Sequence, residues 1–359
     1  MKRYLHILQK EISKISEGDL CVPIKDLDID SLDLVVLRVA LERYLEIEIP
    51  DVIWFKCQTL ADALEYLHKS KGRVRLSENP ENVDIEYSEE IEIRMPQMAK
   101  SALSENWLVK YFGDTHWQLI TKGFKKKSTE FKDENGSRLY STFVRINYRV
   151  SPLCRFYENE YISFNAGIES FGNNTYLSKI IGRCGENSIA ANLMTVFSVR
   201  DGVDNNKISR SDPGVGVSRI REISKTPSFL NDYRLVRKGL IDEITTDCGD
   251  FQIVDDTVYS CEYIINPYYD INGVGLLYFA SYPIIVDKCF DGFYQQVDGL
   301  QTVYRDVFYF ANCNSTEIIV FKLNSMELID DGLRTVVSLF RKSDNQMLSR
   351  VLTIKKNAY

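Results

Sequence analysis

Two stretches of the chain share one outline, and this repeat restricts the folds that the chain can adopt. Each stretch predicts one long amphipathic helix and several strands rich in β-branched and aromatic residues. The first helix should begin after Ser104, a suitable N-cap, and the second should run over about 273–290, kinked or shortened by Pro283. Strands are expected at 140–149, 160–169, 175–182 and 189–200, and again at 258–265, 302–310, 316–328, 333–342 and 349–355.

One helix wrapped by an antiparallel sheet, occurring twice, is the outline of a double hot-dog fold. We therefore expect a first hot-dog unit over 93–232 and a second over 233–359. A helical domain precedes both units, so the predicted fold class is α+β.

Residues 1–70 predict that helical domain. Apolar residues recur at spacings of three and four in three segments, as expected for helices with one buried face. A short helical turn between the last two segments would complete a four-helix bundle. The apolar positions are Leu5, Leu8, Ile12 and Ile15, then Leu34, Leu37, Leu41 and Leu45, and finally Leu60, Ala63, Leu64 and Leu67.

Residues 71–92 predict a flexible acidic linker, because they are poor in apolar residues and contain Pro80 and seven acids. A flexible coil of this length would span roughly 25 Å, enough to let the first domain reach a pocket in its own chain or in a sister subunit. The alternative is a loop that packs on the following domain.

The charge distribution argues against nucleic acid as a partner. The net charge is -7, with 10 Lys and Arg against 13 Asp and Glu in residues 1–72, 3 against 7 in 73–98, and 31 against 31 in the remainder. No apolar run is long enough to span a bilayer, and the first ten residues lack a signal-peptide core. We therefore expect a cytoplasmic protein without a membrane partner.

The eight cysteines are scattered without CxxC pairs, so neither a zinc site nor a disulfide framework has the required spacing. Reduced and mostly buried thiols are expected, and no metal is predicted.

The helical domain carries a short acidic motif at the start of its second helix. The motif reads Asp-Ser-Leu-Asp over 30–33, followed by Ala-Leu-Glu over 40–42 and Ile-Glu-Ile-Pro over 47–50. This pattern closely resembles the acyl carrier proteins of fatty-acid and polyketide synthesis, over about one fifth of the chain. The resemblance implies that Ser31 carries 4'-phosphopantetheine, attached by a phosphopantetheinyl transferase.

The surroundings of Ser31 agree with this interpretation. A hydroxyl at a helix N-terminus is exposed, and nearby acids offer a docking face to basic partners. An ordinary N-cap serine is the alternative, and the downstream segments in register favour the carrier. The acids are Asp28, Asp30, Asp33 and Glu42.

The rest of the chain resembles a biosynthetic hot-dog family whose best-known member is the bifunctional acyltransferase/decarboxylase of the leinamycin pathway. The similar segments are 95–98, 103–108, 113–117, 140–145, 270–279 and 305–312. The resemblance implies an enzyme that takes methylmalonyl-CoA or malonyl-CoA, moves the acyl group to a carrier and releases CO2, leaving propionyl or acetyl. A fused carrier fits this reaction, since covalent attachment raises its effective concentration to about millimolar.

Decarboxylation of a malonyl-type thioester requires hydrogen-bond donors placed around the enolate oxygen. Candidate donors are Ser104 and Asn106 at the first helix start, and Asn272 with the amides of Gly273 and Gly275 at the second. Plain helix capping is the alternative for Ser104 and Asn272.

His116 and Tyr140 are the remaining catalytic candidates. His116 follows Asp114 by two residues and could act as an acid or base, or be a satisfied core residue beside Trp117. Tyr140 could donate to an oxyanion or accept an acyl group transiently, although among 21 tyrosines a packed strand aromatic is a strong alternative.

Two further alternatives stay open for the whole chain. One is a hot-dog thioesterase, or an acyltransferase without decarboxylation. The other is a non-catalytic module that binds an acyl carrier. The basic run 125–127 could receive the carrier or CoA phosphates, or be a solvated strand end. A downstream polyketide synthase or β-branching enzyme is the expected partner, and a homodimer is left open.

Overall fold

The structure is a computed structural model. It describes residues 2–357 except 48, 50, 55, 70–82, 101, 134, 173, 201, 203, 212, 214–217 and 296–298. Residues 71–82 of the predicted linker, including Pro80, lie outside the described residues. The remainder of that prediction is wrong for 85–92, which form a strand of the main sheet rather than a coil.

The N-terminal domain is helical, as predicted. Its helix α2 begins after Asp30 because the Asp30 carboxylate accepts from the amides of Leu32 and Asp33, while the Asp33 carboxylate accepts from the Asp30 amide. Leu8, Leu37, Leu41 and Leu64 lie in its core. The helices are α1 (Lys2–Glu11), α2 (Ser31–Leu45), α3 (Asp51–Trp54) and α4 (Leu60–Lys69), with 3-10 turns at Gly18–Cys21 and Ile24–Asp26.

Helix α5 (Glu105–Phe124) begins where the sequence predicts, since the Ser104 hydroxyl accepts from the Trp107 amide at 3.3 Å. The predicted start of the second long helix near 273 is wrong. Residues 271–277 form a turn, and the helix begins at Ser281, eight residues after the predicted start. Pro283 therefore lies in the first turn of the helix, where its missing N–H removes no intrahelical hydrogen bond. The other helices here are α6 (Ser228–Arg237), α7 (Pro267–Asp270) and α8 (Ser281–Phe293).

The strands confirm the predicted β-rich segments to within a few residues. Those of the first half are β1 (Ile85–Glu92), β2 (Met98–Ala99), β3 (Ala102–Leu103), β4 (Tyr140–Val150), β5 (Tyr161–Phe171), β6 (Thr175–Cys184), β7 (Asn187–Arg200) and β8 (Ile208–Arg210). The second half contains β9 (Glu243–Thr246), β10 (Gly249–Gln252), β11 (Tyr259–Ile264), β12 (Leu300–Tyr309), β13 (Ile318–Ile329), β14 (Gly332–Arg341) and β15 (Met347–Asn357).

Within the described residues, one antiparallel sheet of eleven strands runs through both halves in the order β1-β5-β6-β7-β4-β12-β15-β14-β13-β11, with β8 beside β7. Each half of the sheet has the same order from its outer edge inward. The strand before the long helix is outermost (β1 and β11), and the strand after that helix (β4 and β12) lies where the two halves meet, which we call the seam. Strands β4 and β12 pair directly, with Ile146 opposite Val307. The repeat expected from the sequence is therefore present in the topology.

The core lies between the sheet and its two long helices, and a second apolar cluster lies on the opposite face of the sheet. Along β4, Ile146 and Tyr148 belong to the first cluster and Val144 to the second. Regular alternation would place all three on one face, and the register shift between Phe143 and Arg145 changes the face of the strand before Ile146. Helix α6 covers the second face, and it spans the predicted boundary at 232–233. Within the part of the chain described, no helix is long and apolar enough to cross a membrane.

A buried ion cluster fills one end of the seam. The Arg305 side chain is fully buried and donates to both carboxylate oxygens of Asp287 at 3.0 Å. It also lies 3.0 Å from a carboxylate oxygen of Glu105, to which Tyr148 donates. The cluster ties the N-terminus of α5 to α8 through a residue of the central strand pair.

We predict that Arg305→Met destabilises the protein by about 2–4 kcal/mol, because it leaves the partly buried Glu105 carboxylate without its cation and Asp287 with Lys355 alone. The measurement is denaturant unfolding at neutral pH. Arg149→Met, the same change on an exposed arginine of β4, serves as control and should cost less than about 0.5 kcal/mol. Equal stability of the two variants would contradict the importance of the cluster.

Candidate functional site

The other end of the seam is open and contains a cavity of about 640 Å³. Its walls come from the middle of α5, the start of β4, the end of β12 and the 272–279 segment before α8. Ser31 and Leu32 of the N-terminal domain also line it. The cavity therefore joins both halves of the sheet to the start of helix α2.

Ser31 lies at the first position of α2 with its side chain exposed. Arg210 donates to the Ser31 carbonyl oxygen at 3.2 Å and to the Thr175 hydroxyl at 2.8 Å, and both Arg210 and Arg237 line the cavity. An exposed hydroxyl at a helix N-terminus, in a cavity that two arginines also line, suits a phosphodiester. The residues present thus fit 4'-phosphopantetheine on Ser31, a group that would supply a thiol for thioester formation.

Tyr140 lies at the start of β4, half-buried in the cavity wall. The guanidinium carbons of Arg138 and Arg200 lie 5.5 and 5.7 Å from its ring centre. Arg200 is held by the Asn205 side chain at 3.0 Å and the Val274 carbonyl at 2.9 Å. Two guanidinium groups therefore lie within cation–π distance of the Tyr140 ring.

His116 also lines the cavity, but its environment is that of a neutral ring. Its two nitrogens lie 2.6 Å from the Ser178 hydroxyl and 2.7 Å from the Thr195 hydroxyl. Burial lowers the pKa of His116 to about 3. Asp114 is not its partner and accepts instead from Gln118 at 2.8 Å. The geometry favours the structural interpretation, and a catalytic role for His116 stays a prediction.

Asn272 lines the cavity, but not at a helix N-terminus as predicted. Its side-chain oxygen accepts from the amides of Val274 and Leu276 at 3.1 and 3.0 Å. The Gly275 amide donates to the Asn272 carbonyl at 2.9 Å, so it too is used within the turn. Asn272 therefore shapes the loop, and the predicted dipole of a helix end is not directed there.

Ser104 and Asn106 lie away from this cavity, at the opposite end of the seam beside the Arg305 cluster. Ser104 caps α5, while the Asn106 side-chain oxygen is buried without a hydrogen-bond partner. The five predicted catalytic residues thus divide into two groups: His116, Tyr140 and Asn272 line the open cavity, and Ser104 and Asn106 do not.

An aromatic pair forms one wall of the cavity. The rings of Phe143 and Phe279 lie 4.2 Å apart, and the Tyr309 hydroxyl donates to the Phe279 carbonyl at 3.0 Å. Gly113 of α5 admits this ring, because a methyl group there would overlap Phe279. These residues lie in four separate segments of the sequence, and only the fold brings them together.

The N-terminal domain docks on the second domain through helix α6, which sequence reasoning missed. Arg234 donates to one Asp33 oxygen at 2.7 Å, and Lys238 donates to the other. Arg237 lies 3.7 Å from Asp30. Burial by itself would raise the pKa of Asp33, but hydrogen bonds from Lys238, the Asp30 amide and Arg234 hold it below its usual range.

Only part of the predicted acidic docking face makes this contact. Asp30 and Asp33 pair with α6, whereas Asp28 pairs with Lys14 and Glu42 with Arg38 inside the N-terminal domain. The basic run 125–127 makes none of the contacts described here with that domain. It follows the end of helix α5, whose C-cap is Lys125, so it is a helix end rather than the strand end that was the other alternative. A usable signal was present: Leu32, Val36 and Val39 form a second apolar stripe on α2.

All eight cysteines are free thiols. Cys184, Cys289 and Cys313 are buried, Cys21 is exposed and the other four are partly buried, so burial is less general than predicted.

A family model described as "Phosphopantetheine attachment site" matches residues 6–67. The chain is 45% identical over 49 residues to an acyl carrier protein of Akkermansia muciniphila, covering 14% of this chain and 61% of that protein. An acyl carrier protein of Campylobacter curvus is 48% identical over 46 residues, covering 13% and 60%. The chain thus spans about three fifths of the length of these curated relatives.

The larger domain is similar to solved thioesterases. A 12:0-ACP thioesterase from Umbellularia californica matches 76% of this chain and 94% of its own, with a TM-score of 0.52 and 13% identity. A putative oleoyl thioesterase from Lactobacillus plantarum matches 76% and 97%, with a TM-score of 0.55 and 12% identity. At this identity the likeness shows the fold. The chain therefore combines an N-terminal phosphopantetheine-attachment domain with a hot-dog, thioesterase-like fold.

We predict that His116 stays neutral from pH 8 down to about pH 4, because its buried ring takes a proton only near pH 3. Unfolded chains bind that proton near pH 6.5, so this residue's contribution to stability is lost as the pH falls from about 6.5 towards 3. Nitrogen-15 NMR of the three histidines checks the prediction, with His116→Gln assigning the resonance. A His116 midpoint above pH 5 would contradict it.

We predict that Gly113→Ala destabilises the protein by about 1–3 kcal/mol, because the new methyl group displaces the Phe279 ring. Thermal and denaturant unfolding measure the change. Gly292→Ala in α8 is the control, since its methyl group would make only ordinary contact and alanine favours a helix by about 0.5–1 kcal/mol. Stabilisation by both substitutions would contradict the packing argument.

Proposed function

We propose that this chain is a carrier-fused enzyme that moves a methylmalonyl or malonyl group from CoA to the phosphopantetheine of Ser31 and releases CO2. The observation that carries the proposal is that Ser31 and Tyr140 line one cavity. We also infer a double hot-dog arrangement from the repeated strand order, with 93–232 and 233–359 as its approximate units.

The carrier is served in cis in this proposal. Its helix α2 is already docked with Ser31 at the cavity mouth, so an acyl group on its arm can enter without a second subunit. The effective concentration of such a tethered thiol is about millimolar. The proposed partners are an acyl-CoA, a phosphopantetheinyl transferase, and a downstream polyketide synthase or β-branching enzyme.

The charges of the cavity support a substrate that carries a carboxylate. One acid, Asp114, is among the described lining residues, against five cations. Positive potential concentrates an anionic acyl-CoA and orients its free carboxylate. The cations are Lys110, Arg138, Arg210, Arg237 and Arg341.

Tyr140 is the proposed reactive residue. As a nucleophile, its oxygen would attack the thioester carbonyl, and the C–S bond would break with CoA leaving as the thiol. As a donor, it would stabilise the enolate oxygen formed when the bond to the departing carboxyl breaks and its electron pair stays on the substrate. Arg138 and Arg200 would stabilise the negative charge in either role.

A thioesterase is the second candidate, and Asp114 is the observation that favours it. A carboxylate in an acyl-binding cavity could activate water for hydrolysis. The solved thioesterases with a similar fold are consistent with this chemistry, although their low identity bears on the fold alone.

Intact-protein mass spectrometry of the phosphopantetheinylated chain separates the candidates. After incubation with methylmalonyl-CoA or malonyl-CoA, we expect a gain of propionyl or acetyl that is absent in Ser31→Ala. A retained methylmalonyl or malonyl mass would contradict decarboxylation. Hydrolysis of CoA thioesters without any gain on the protein would support the thioesterase, and no change of either kind would support a binding module.

We predict that Tyr140→Phe lowers the rate of this loading by about 10²-fold or more, because it removes either the nucleophile or an oxyanion donor. The rate is followed by the same mass measurement on the phosphopantetheinylated protein. Tyr157→Phe, the same change at an exposed tyrosine outside the cavity, is the control and should load at the wild-type rate. Unchanged loading by Tyr140→Phe would remove this residue from the reaction.

A further inference from the structure

We propose that helix α6 is a latch that holds the N-terminal domain on the second domain and thereby shields Ser31 from enzymes in trans. The inference rests on the proposed carrier role of Ser31, but not on the reaction that takes place in the cavity. It concerns which enzymes can reach the serine, and when.

The polar half of the latch is centred on Asp33. Its side chain is fully buried, and the Arg234 and Lys238 side chains that bind its two oxygens are only 7% and 15% exposed. Arg234 also donates to the Glu11 carbonyl at 3.4 Å, and Thr226 donates to the Glu11 carboxylate at 3.1 Å. The ion pairs are therefore desolvated and joined to α1 as well as to α2.

The apolar half of the latch is the second stripe of α2. Leu32, Val36 and Val39 are buried in one cluster with Leu230, Tyr233 and Val236 of α6 and with Phe171 at the end of β5. Gly172 follows with a positive φ of 61°, and a side chain there would press on Val35 and Val39. The turn after β5 thus permits close approach of α2.

The far end of α2 is held as well. Arg43 donates to the Ile223 carbonyl at 2.5 Å and to Glu222 at 3.1 Å, and its guanidinium lies 5.9 Å from the centre of the Phe171 ring. Contacts to the second domain therefore run along α2 from residue 31 to residue 43. Each of these contacts must be broken before another protein can cover the same helix face.

This arrangement has a consequence for modification of Ser31. The serine opens into its own cavity, and the helix that presents it is covered on the side of α6. A transferase that attaches phosphopantetheine, or an enzyme that removes the acyl product, must approach the start of α2. Both therefore require the latch to open, and the docked state favours reaction in the chain's own cavity.

The test removes the latch without altering the N-terminal domain. In the apo full-length protein, Arg234→Ala/Lys238→Ala leaves Asp33 buried without cations while docked, whereas undocking returns it to water. With CoA and a phosphopantetheinyl transferase, we expect the Ser31 modification rate, followed by intact mass, to rise about tenfold or more. The transferase meets an unchanged carrier surface in both proteins, so the rate reports access.

Lys125→Ala/Lys127→Ala is the matched control, because it removes two cations that make none of the described contacts with the N-terminal domain. We expect this variant to be modified at the wild-type rate. Hydrogen exchange should also rise over 31–45 and 228–238 in the latch variant, with the central sheet unchanged. Modification of the latch variant at or below the wild-type rate, with its sheet intact, would overturn the proposal.

If the double variant loses protection throughout the sheet, Lys238→Ala alone carries the test, since this lysine is the more exposed of the pair. Its modification rate should rise about threefold, and an unchanged rate would overturn the proposal. Neither measurement uses an acyl-CoA. Failure of the proposed transfer reaction therefore leaves this result interpretable.

Discussion

Pairing of β4 with β12 is the interaction on which the rest of the structure depends. It joins two five-stranded halves of the same order into one sheet and places both long helices on one face. Because the two strands are antiparallel, each end of the seam receives the start of one and the end of the other. One end is closed by Arg305 and its carboxylates, and the other remains open as the cavity. The two ends of the seam are therefore occupied differently, one by an ion cluster and the other by a cavity.

The N-terminal domain is docked at the open end, where Ser31 and Leu32 form part of the cavity wall. Helix α2 has two apolar stripes: Leu37 and Leu41 face its own bundle, and Val36 and Val39 face the outer side of the sheet. A helix that is apolar on two sides needs two partners. The buried Asp33 fixes the orientation of the two domains at this contact. A carboxylate removed from water is stable only where cations pair with it, and here Arg234 and Lys238 supply them. Helix α2 therefore makes the contact with the second domain and also places Ser31 in the cavity wall.

Local patterns predicted most elements because their physical causes are local. The strands were recognisable from their β-branched and aromatic residues, and α5 from its cap at Ser104. The start of α8 was misjudged because the apolar run 274–279 suits a helix, whereas the Asn272 side chain closes a turn there. Strand β1 was assigned to a linker because its exposed positions are acidic, although Ile85 and Ile91 alternate toward the core. Helix α6 has no N-cap side chain that would mark its start in the sequence. Its contact with α2 is evident only in the folded structure.

By itself the sequence determined the carrier motif around Ser31, the repeated helix-and-strand outline and the presence of Tyr140 and His116 as candidates. These depend on residue type and on spacing along the chain. The tertiary structure alone decided that Ser31, Tyr140 and Asn272 line one cavity, that Ser104 and Asn106 lie at the other end of the seam, and that the His116 ring is buried between the hydroxyls of Ser178 and Thr195. The reason is that burial, charge pairing and the meeting of distant strands depend on the register of the sheet, which no single segment contains.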